Sequence, residues 1–293
     1  MTLDPGARCY CARTFSSAEI ARIHELITAH PNATRAELSR LVCTELHWLR
    51  PDGRSKEMSC RVAMLRMQRD GLLQLPPPRN HNNNGKPYRR RSLQGEPGAP
   101  IRATSPRHLG PLTLQRVVER PDSHRHNEYL DRYHYLGYRP LPGAQLRYFV
   151  HAGDQLVALL GFGAAAWKTQ PRDRFIGWTP SQRQQHLHRV VNNARFLILP
   201  WVECRNLASA ILARAARTVA NDWQAHYGYR PVLLETFVEQ PRFRGTAYQA
   251  ANWVCVGTTA GRGKLDVHHQ QRLPKKSVWL YPLDPQFRQV LCQ

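Results

Sequence analysis

The chain has 293 residues, 42% of them hydrophobic, which is enough for folded domains and excludes a wholly disordered protein. Its 42 Lys and Arg residues outnumber the 21 Asp and Glu residues, and 36 of the 42 are Arg. This excess favours a polyanionic partner, because guanidinium binds phosphate oxygens in a bidentate fork. The alternative is a codon bias toward arginine in a GC-rich genome.

No segment approaches the roughly 20 apolar residues of a membrane span, and the first residues lack the apolar core of a signal peptide. Seven scattered cysteines, an odd number, argue against a disulfide framework and indicate a reducing compartment. We therefore expect a cytoplasmic protein with no membrane partner. No metal site is predicted, because the close pair Cys9 and Cys11 lacks a second pair at ligand spacing.

Residues 1–75 are predicted to form a winged-helix-like domain of three helices. Ser16 or Ser17 caps the first helix, and Thr34 caps the second, each followed by a glutamate that completes a capping box. The third helix is predicted over residues 56–71, followed by the strand-like sequence LLQLP.

In a winged helix the third helix enters the major groove. Three basic residues of this helix are therefore predicted to bind DNA: Lys56, Arg61 and Arg66. A small helical module for protein docking is the alternative, because residues 1–75 hold 11 basic and 8 acidic side chains and are nearly neutral.

Residues 76–111 are predicted to be a basic flexible linker. The segment is rich in Pro, Gly and Asn, so it cannot bury a core of its own. Its three consecutive arginines are predicted to contact backbone phosphates: Arg89, Arg90 and Arg91. A solvated tether without a ligand is the alternative.

Residues 112–293 alternate strands and helices. An edge strand at 112–120 and a helix at 124–136 precede a hairpin that turns at Gly153 and Asp154. A helix started by Thr179 or Ser181 comes next. The remaining elements are a strand at 194–202, a helix at 206–228, a strand at 231–240, a short helix at 245–253 and a strand from 254. This order predicts an α/β (α+β) domain, a mixed sheet flanked by helices, with its working groups at strand ends.

The order of elements resembles the GCN5-related N-acetyltransferase (GNAT) fold. In that family a tyrosine after the short fourth helix commonly protonates the leaving thiolate, so the resemblance implies that role for Tyr248. The family's glycine-rich pyrophosphate loop is absent, because the corresponding segment, VECRNLAS at 202–209, has no glycine. Arg205 and Asn206 would crowd a close backbone approach. We therefore predict no cofactor, and the segment argues against coenzyme A.

The whole chain resembles the DruA family of Druantia anti-phage defence systems. The motifs that carry this resemblance are YHYLGY at 133–138, RDRFIGW at 172–178, NARFLILPWV at 193–202, NLAS at 206–209 and ETFVEQPRFRGTAYQAANW at 235–253. The resemblance implies a part in bacterial immunity beside a large helicase-like partner, with related domains in mobile elements. It implies no known reaction.

Five residues are catalytic candidates. Glu235 ends an apolar strand and is either a general base or the partner of an arginine such as Arg195. Tyr248 is either an acid or a packed aromatic residue. The other three are His134 and Tyr135, as proton carriers, a base-stacking platform or core residues, and Asp173, which could instead pair with Arg172 or Arg174.

Three further basic residues are predicted to bind nucleic acid: Arg195, Arg262 and Lys264. The favoured function is a nucleic-acid-binding component of a prokaryotic anti-phage defence system, whose GNAT-like domain engages or modifies DNA. One alternative is an active acyl or group transferase that acts on a base or a protein. Another is a transcription regulator or mobile-element accessory protein. The sequence leaves open whether any reaction is catalysed.

Overall fold

The computed structural model describes residues 4, 6–79, 88, 91–261 and 273–293. The chain divides into two compact units, Met1–Asn84 and Gly85–Gln293. The division falls inside the segment predicted as a linker. Each unit has its own hydrophobic core, so each is described separately.

The first unit begins with a short hairpin and continues with three helices. The hairpin joins β1 (Arg8–Tyr10) to β2 (Arg13–Phe15), and the helices are α1 (Ser17–Ala29), α2 (Arg35–Glu45) and α3 (Glu57–Arg69). Both predicted capping boxes are present, from Ser16 with Glu19 and from Thr34 with Glu37. The three predicted helices are thus confirmed.

The strands of the first unit differ from the prediction. The segment LLQLP at 72–76 forms no strand, because Leu73 and Leu75 are buried in the helical core and no strand lies beside them. The hairpin was not predicted. Its turn places Cys11 and Ala12 at φ of 52° and 62°, a conformation that is usually signalled by Asn or Gly.

The second unit is built on a seven-stranded sheet. Its strands are β4 (Leu112–Arg116), β5 (Gln145–Ala152), β6 (Gln155–Ala164), β7 (Val190–Ile198), β9 (Leu233–Glu239), β10 (Val254–Thr258) and β11 (Lys276–Pro282). Their order is β10-β11-β9-β7-β6-β5-β4, antiparallel throughout except for the parallel pair β7 and β9. A separate parallel pair joins β3 (Ile101–Ala103) to β8 (Val202–Cys204). The predicted fold class, a mixed sheet flanked by helices, is confirmed.

Six helices accompany this sheet within the described residues: α4 (Arg120–Tyr133), α5 (Gln170–Ile176), α6 (Pro180–His186), α7 (Leu207–Tyr227), α8 (Thr246–Ala250) and α9 (Phe287–Leu291). The central helix α7 buries Ile211, Val219 and Trp223 in the main core. Thr179, rather than Ser181, caps α6. The elements that were not predicted include α5, α9 and β11, which lies inside the sheet between β9 and β10.

Residues 91–111 carry regular elements where the sequence predicted a flexible linker. The buried carboxylate of Glu128 accepts hydrogen bonds from the backbone N–H of Ser92 at 2.8 Å and from its hydroxyl at 2.7 Å. Burial alone would raise the pKa of Glu128, but the hydrogen bonds from Ser92 and Arg132 outweigh burial and lower it. Further along, Tyr133 donates to the carbonyl oxygen of Gly95. Polar anchors of this kind order a segment that has no apolar face of its own.

His126 is fully buried on α4 and makes the second unit sensitive to acid. Burial, with a smaller contribution from Arg147, lowers its pKa from 6.5 to about 3. Between these values the unfolded chain binds a proton that the folded chain does not. The contribution of His126 to stability is therefore complete above about pH 6.5 and decreases as the pH falls toward 3.

We expect the variant His126→Gln to lose less stability than the wild type between pH 7 and pH 4.5. One proton changes the free energy of unfolding by at most about 1.4 kcal/mol per pH unit. Urea unfolding at both pH values measures this difference. The exposed His108 provides the control, and His108→Gln should follow the wild type. Equal losses in the wild type and His126→Gln would contradict the assignment.

Candidate functional site

A cavity opens in the second unit where β7 and β9 separate. The two strands pair in parallel over only three residue pairs, from Val190 with Leu233 to Asn192 with Glu235. Beyond this point β7 continues beside β6, and β9 continues beside β11. The space between them measures about 630 Å³ and lies within the size range of small-ligand sites. We call it the β7/β9 cavity.

The β7/β9 cavity is strongly cationic. Among the described residues, four basic side chains line it and no carboxylate does: Arg195, Arg242, Arg244 and Lys276. None of the four forms an ion pair within the described part of the chain. Since unpaired charges are costly to remove from water, this arrangement favours an anionic ligand.

Arg195 is the most enclosed of these cations. Its Nη1 donates to the carbonyl oxygen of Ala194 at 2.7 Å, and its buried Nε has no hydrogen-bond partner among the described residues. Burial lowers the pKa of Arg195. An anion beside the Arg195 guanidinium would therefore offset the desolvation of its charge.

Aromatic rings form one wall of the cavity. His134 stacks on Tyr135 with ring centroids 4.8 Å apart, and the edge of Phe243 approaches Tyr135 at 5.0 Å. The Arg242 guanidinium lies 4.7 Å from the centroid of the Tyr135 ring. Burial, followed by the charges of Arg195 and Arg242, lowers the pKa of His134 to about 4. His134 is thus neutral at pH 7, and its Nδ1 accepts a hydrogen bond from the N–H of Leu136.

Tyr248, the predicted acid, also lines the cavity. Its hydroxyl donates to Asn193 Oδ1 at 2.9 Å, and its ring packs edge-on against Trp253 at 5.1 Å. Burial raises the pKa of Tyr248 to about 12. The hydroxyl therefore keeps its proton at neutral pH.

Glu235 and Asp173 belong to a different cluster and do not line the cavity. Glu235 Oε2 and the Arg172 guanidinium are both fully buried and lie 2.8 Å apart, and Glu235 Oε1 accepts from the N–H of Ala166 at 2.8 Å. Arg172 also binds Asp173 at 2.8 Å, and Asp173 accepts from Trp178 as well. Burial raises the pKa of Glu235, although Arg172 opposes this.

For each carboxylate the sequence allowed two roles, a catalytic one and pairing with an arginine. The observed contacts match pairing with an arginine. The partner of Glu235 is Arg172, however, and not Arg195. The cluster joins β9 to α5, so its contacts are those of a structural ion network.

The other predicted nucleic-acid contacts lie elsewhere. On the first unit Arg66 of α3 is exposed, whereas Lys56 and Arg61 are half-buried. Arg91 forms an ion pair with Asp131 at 2.9 Å. Four predicted residues lie outside the described part of the chain: Arg89, Arg90, Arg262 and Lys264.

The sequence reasoning missed the loop at 241–245. This loop places Arg242, Phe243 and Arg244 at the cavity, and Phe243 is 42% exposed. The signal that could have found it is an exposed aromatic residue between two arginines, directly after the strand β9.

Comparison with known proteins identifies the family. A family model described as Druantia protein DruA matches residues 66–291, more than three quarters of the chain. The chain belongs to the DruA family. Membership indicates a role in a defence system, with partner proteins in that system. No match was found among curated proteins.

Solved structures of similar shape to this DruA-family protein include acetyltransferases. Spermidine/spermine N-acetyltransferase SpeG from Vibrio cholerae is 14% identical, with a TM-score of 0.38 over 61% of this chain and 96% of that chain. An N-acetyltransferase from Staphylococcus aureus Mu50 is 11% identical, with a TM-score of 0.31 over 48% of this chain and 68% of that chain.

The described residues contain neither a membrane-spanning helix nor a cluster of metal-binding side chains. None of their helices is both long and apolar enough to cross a membrane. None of their His, Cys, Asp and Glu side chains gather in groups of three or more that could hold a metal ion.

Removing the arginine of the buried ion cluster should destabilise the second unit. We expect Arg172→Met to lower the free energy of unfolding by about 3–5 kcal/mol, because Glu235 would remain buried without its counter-ion. Urea denaturation measures this loss. The exposed neighbour Arg174 provides a control with the same substitution.

Combining Arg172→Met with Glu235→Leu should recover part of the lost stability, because the unpaired carboxylate is then absent. If Arg172→Met unfolds at the same urea concentration as Arg174→Met, the cluster does not stabilise the fold.

Proposed function

We propose that this DruA-family protein is the nucleic-acid-binding component of a prokaryotic anti-phage defence system, working beside a helicase-like partner. The β7/β9 cavity is the proposed contact site for the phosphate backbone. The observation that supports this most directly is that its described lining residues include four cations and no carboxylate.

The charge of the whole chain supports the same ligand. The net charge is +21, and most of it comes from arginine. The net positive charge attracts a polyanion to the protein, and the four lining cations can then bind it at the cavity. The overall charge and the cavity therefore act on the same ligand. A small anion would use only the cavity, whereas a nucleic acid strand would use both.

The affinity for DNA of random sequence should fall steeply with salt concentration. We expect the slope of log K against log salt to decrease by about one for each phosphate contact that is removed. The double variant Arg242→Gln with Arg244→Gln should therefore lower the slope by about two. Fluorescence anisotropy of labelled DNA, titrated at several salt concentrations, measures the slope.

The exposed Arg214 on α7 provides a control outside the cavity. Arg214→Gln removes one positive charge and should lower the slope by less than half as much as the double variant, which removes two. Binding that is absent, or that does not depend on salt, would refute the proposal. If Arg214→Gln lowers the slope as much as the double variant does, the cavity is not a preferred contact site for the phosphate backbone.

We also propose that the first unit is winged-helix-like and contacts DNA through α3. Arg66 is exposed there, and the half-buried Arg61 has an Nε without a hydrogen-bond partner among the described residues. The triple variant Lys56→Gln, Arg61→Gln and Arg66→Gln should lower the salt slope by up to about three. Arg8→Gln, an exposed arginine of β1, is the control. An unchanged slope in the triple variant would favour a protein-docking role for this unit.

A group transferase is the second candidate function. The observation that favours it is Tyr248, a protonated hydroxyl at the wall of a ligand-sized cavity. Under this alternative, acetyl-coenzyme A should raise the melting temperature, and Tyr248→Phe should abolish transfer while leaving that rise unchanged. Under the favoured function, millimolar acetyl-coenzyme A gives no rise, whereas single-stranded or duplex DNA does.

A further inference from the structure

Besides charge, the β7/β9 cavity has two features that concern the kind of nucleic acid it accepts. A volume of about 630 Å³ suits a ligand of the size of a nucleotide. The bases of a duplex are stacked and paired inside the helix, so a pocket can take one only after it has left the stack. The size of the cavity thus favours a nucleotide that is already unpaired.

The second feature is the ring of Phe243. It is exposed, whereas the other aromatic rings of the cavity are half-buried. Its edge contact with Tyr135 at 5.0 Å holds the ring in place. An exposed aromatic ring beside two arginines can stack a base while the arginines meet the phosphates on either side.

We propose that the β7/β9 cavity holds one unpaired nucleotide of a nucleic acid strand. Its base stacks on Phe243, and its flanking phosphates lie against Arg195, Arg242 and Arg244. The inference rests on the proposed function and adds a preference: single strands, overhangs or displaced strands bind more tightly than an intact duplex. Such strands are the kind of substrate that a helicase-like partner would generate.

The test uses the full-length protein and a short single-stranded oligonucleotide that contains a fluorescent adenine analogue. We expect binding to quench the fluorescence, because the base stacks on an aromatic ring. Phe243→Leu should remove the quenching and weaken single-strand binding about 10-fold, a typical effect for the loss of one stacked base. The same variant should leave duplex binding and the salt slope unchanged.

Trp167 provides the matched control, since it is exposed to a similar degree (44%) and lies outside the cavity. Trp167→Leu should keep both the quenching and the affinity. Because Phe243 is exposed, its replacement leaves the core intact, and circular dichroism of each variant checks the fold.

Three results would overturn the inference. The wild type could bind duplex and single strand with equal affinity, and Phe243→Leu could weaken both to the same extent. This result would mean that the cavity does not select unpaired bases. Binding without quenching would mean that the base does not stack. Displacement of the oligonucleotide by a free mononucleotide or by coenzyme A at equal concentration would assign the cavity to a small molecule. In each case salt-dependent DNA binding would remain, whereas failure of the proposed function would abolish it for every nucleic acid.

Discussion

The cavity depends on the short parallel pairing of β7 and β9. At the last pair Glu235 lies opposite Asn192, and its carboxylate is held by the buried Arg172. One residue further, the hydroxyl of Thr236 donates to the carbonyl oxygen of Asn193 at 3.0 Å. These interactions fix the point at which the strands part. A shift of either strand would move the walls of the cavity and the residues on them.

The point at which β9 separates from β7 divides structure from the candidate site. Glu235 belongs to the last residue pair of the two strands, does not line the cavity and instead meets Arg172. The next three residues of β9 all line the cavity: Thr236, Phe237 and Val238. A carboxylate that looks catalytic in the sequence therefore supports the sheet, while the residues that follow it on the same strand border the ligand space.

Local signals in the sequence predicted much of the fold. Capping boxes at Ser16 and Thr34 and the apolar period of α7 are properties of neighbouring residues, and all were confirmed. The partner of Glu235 could not be predicted in the same way, because Arg172 is 63 residues away in sequence and reaches it only through the packing of α5. Similarly, β11 enters the sheet between β9 and β10, although it follows both in the chain. Part of the cavity was predicted, because four of the predicted site residues line it: His134, Tyr135, Arg195 and Tyr248. The loop that contains Phe243 was not predicted.

The titrating groups of the cavity favour binding over proton transfer. A general acid or base is most effective when its pKa lies near the working pH. Here the pKa of His134 is about 4 and that of Tyr248 is about 12, so neither changes its charge near neutral pH. Within the part of the chain that the structure describes, no carboxylate lines the cavity to act as a base in their place. The guanidinium groups, in contrast, stay charged at every physiological pH. Fixed positive charges bind phosphates, and neutral aromatic rings stack on bases, so the cavity offers what both parts of a nucleotide require.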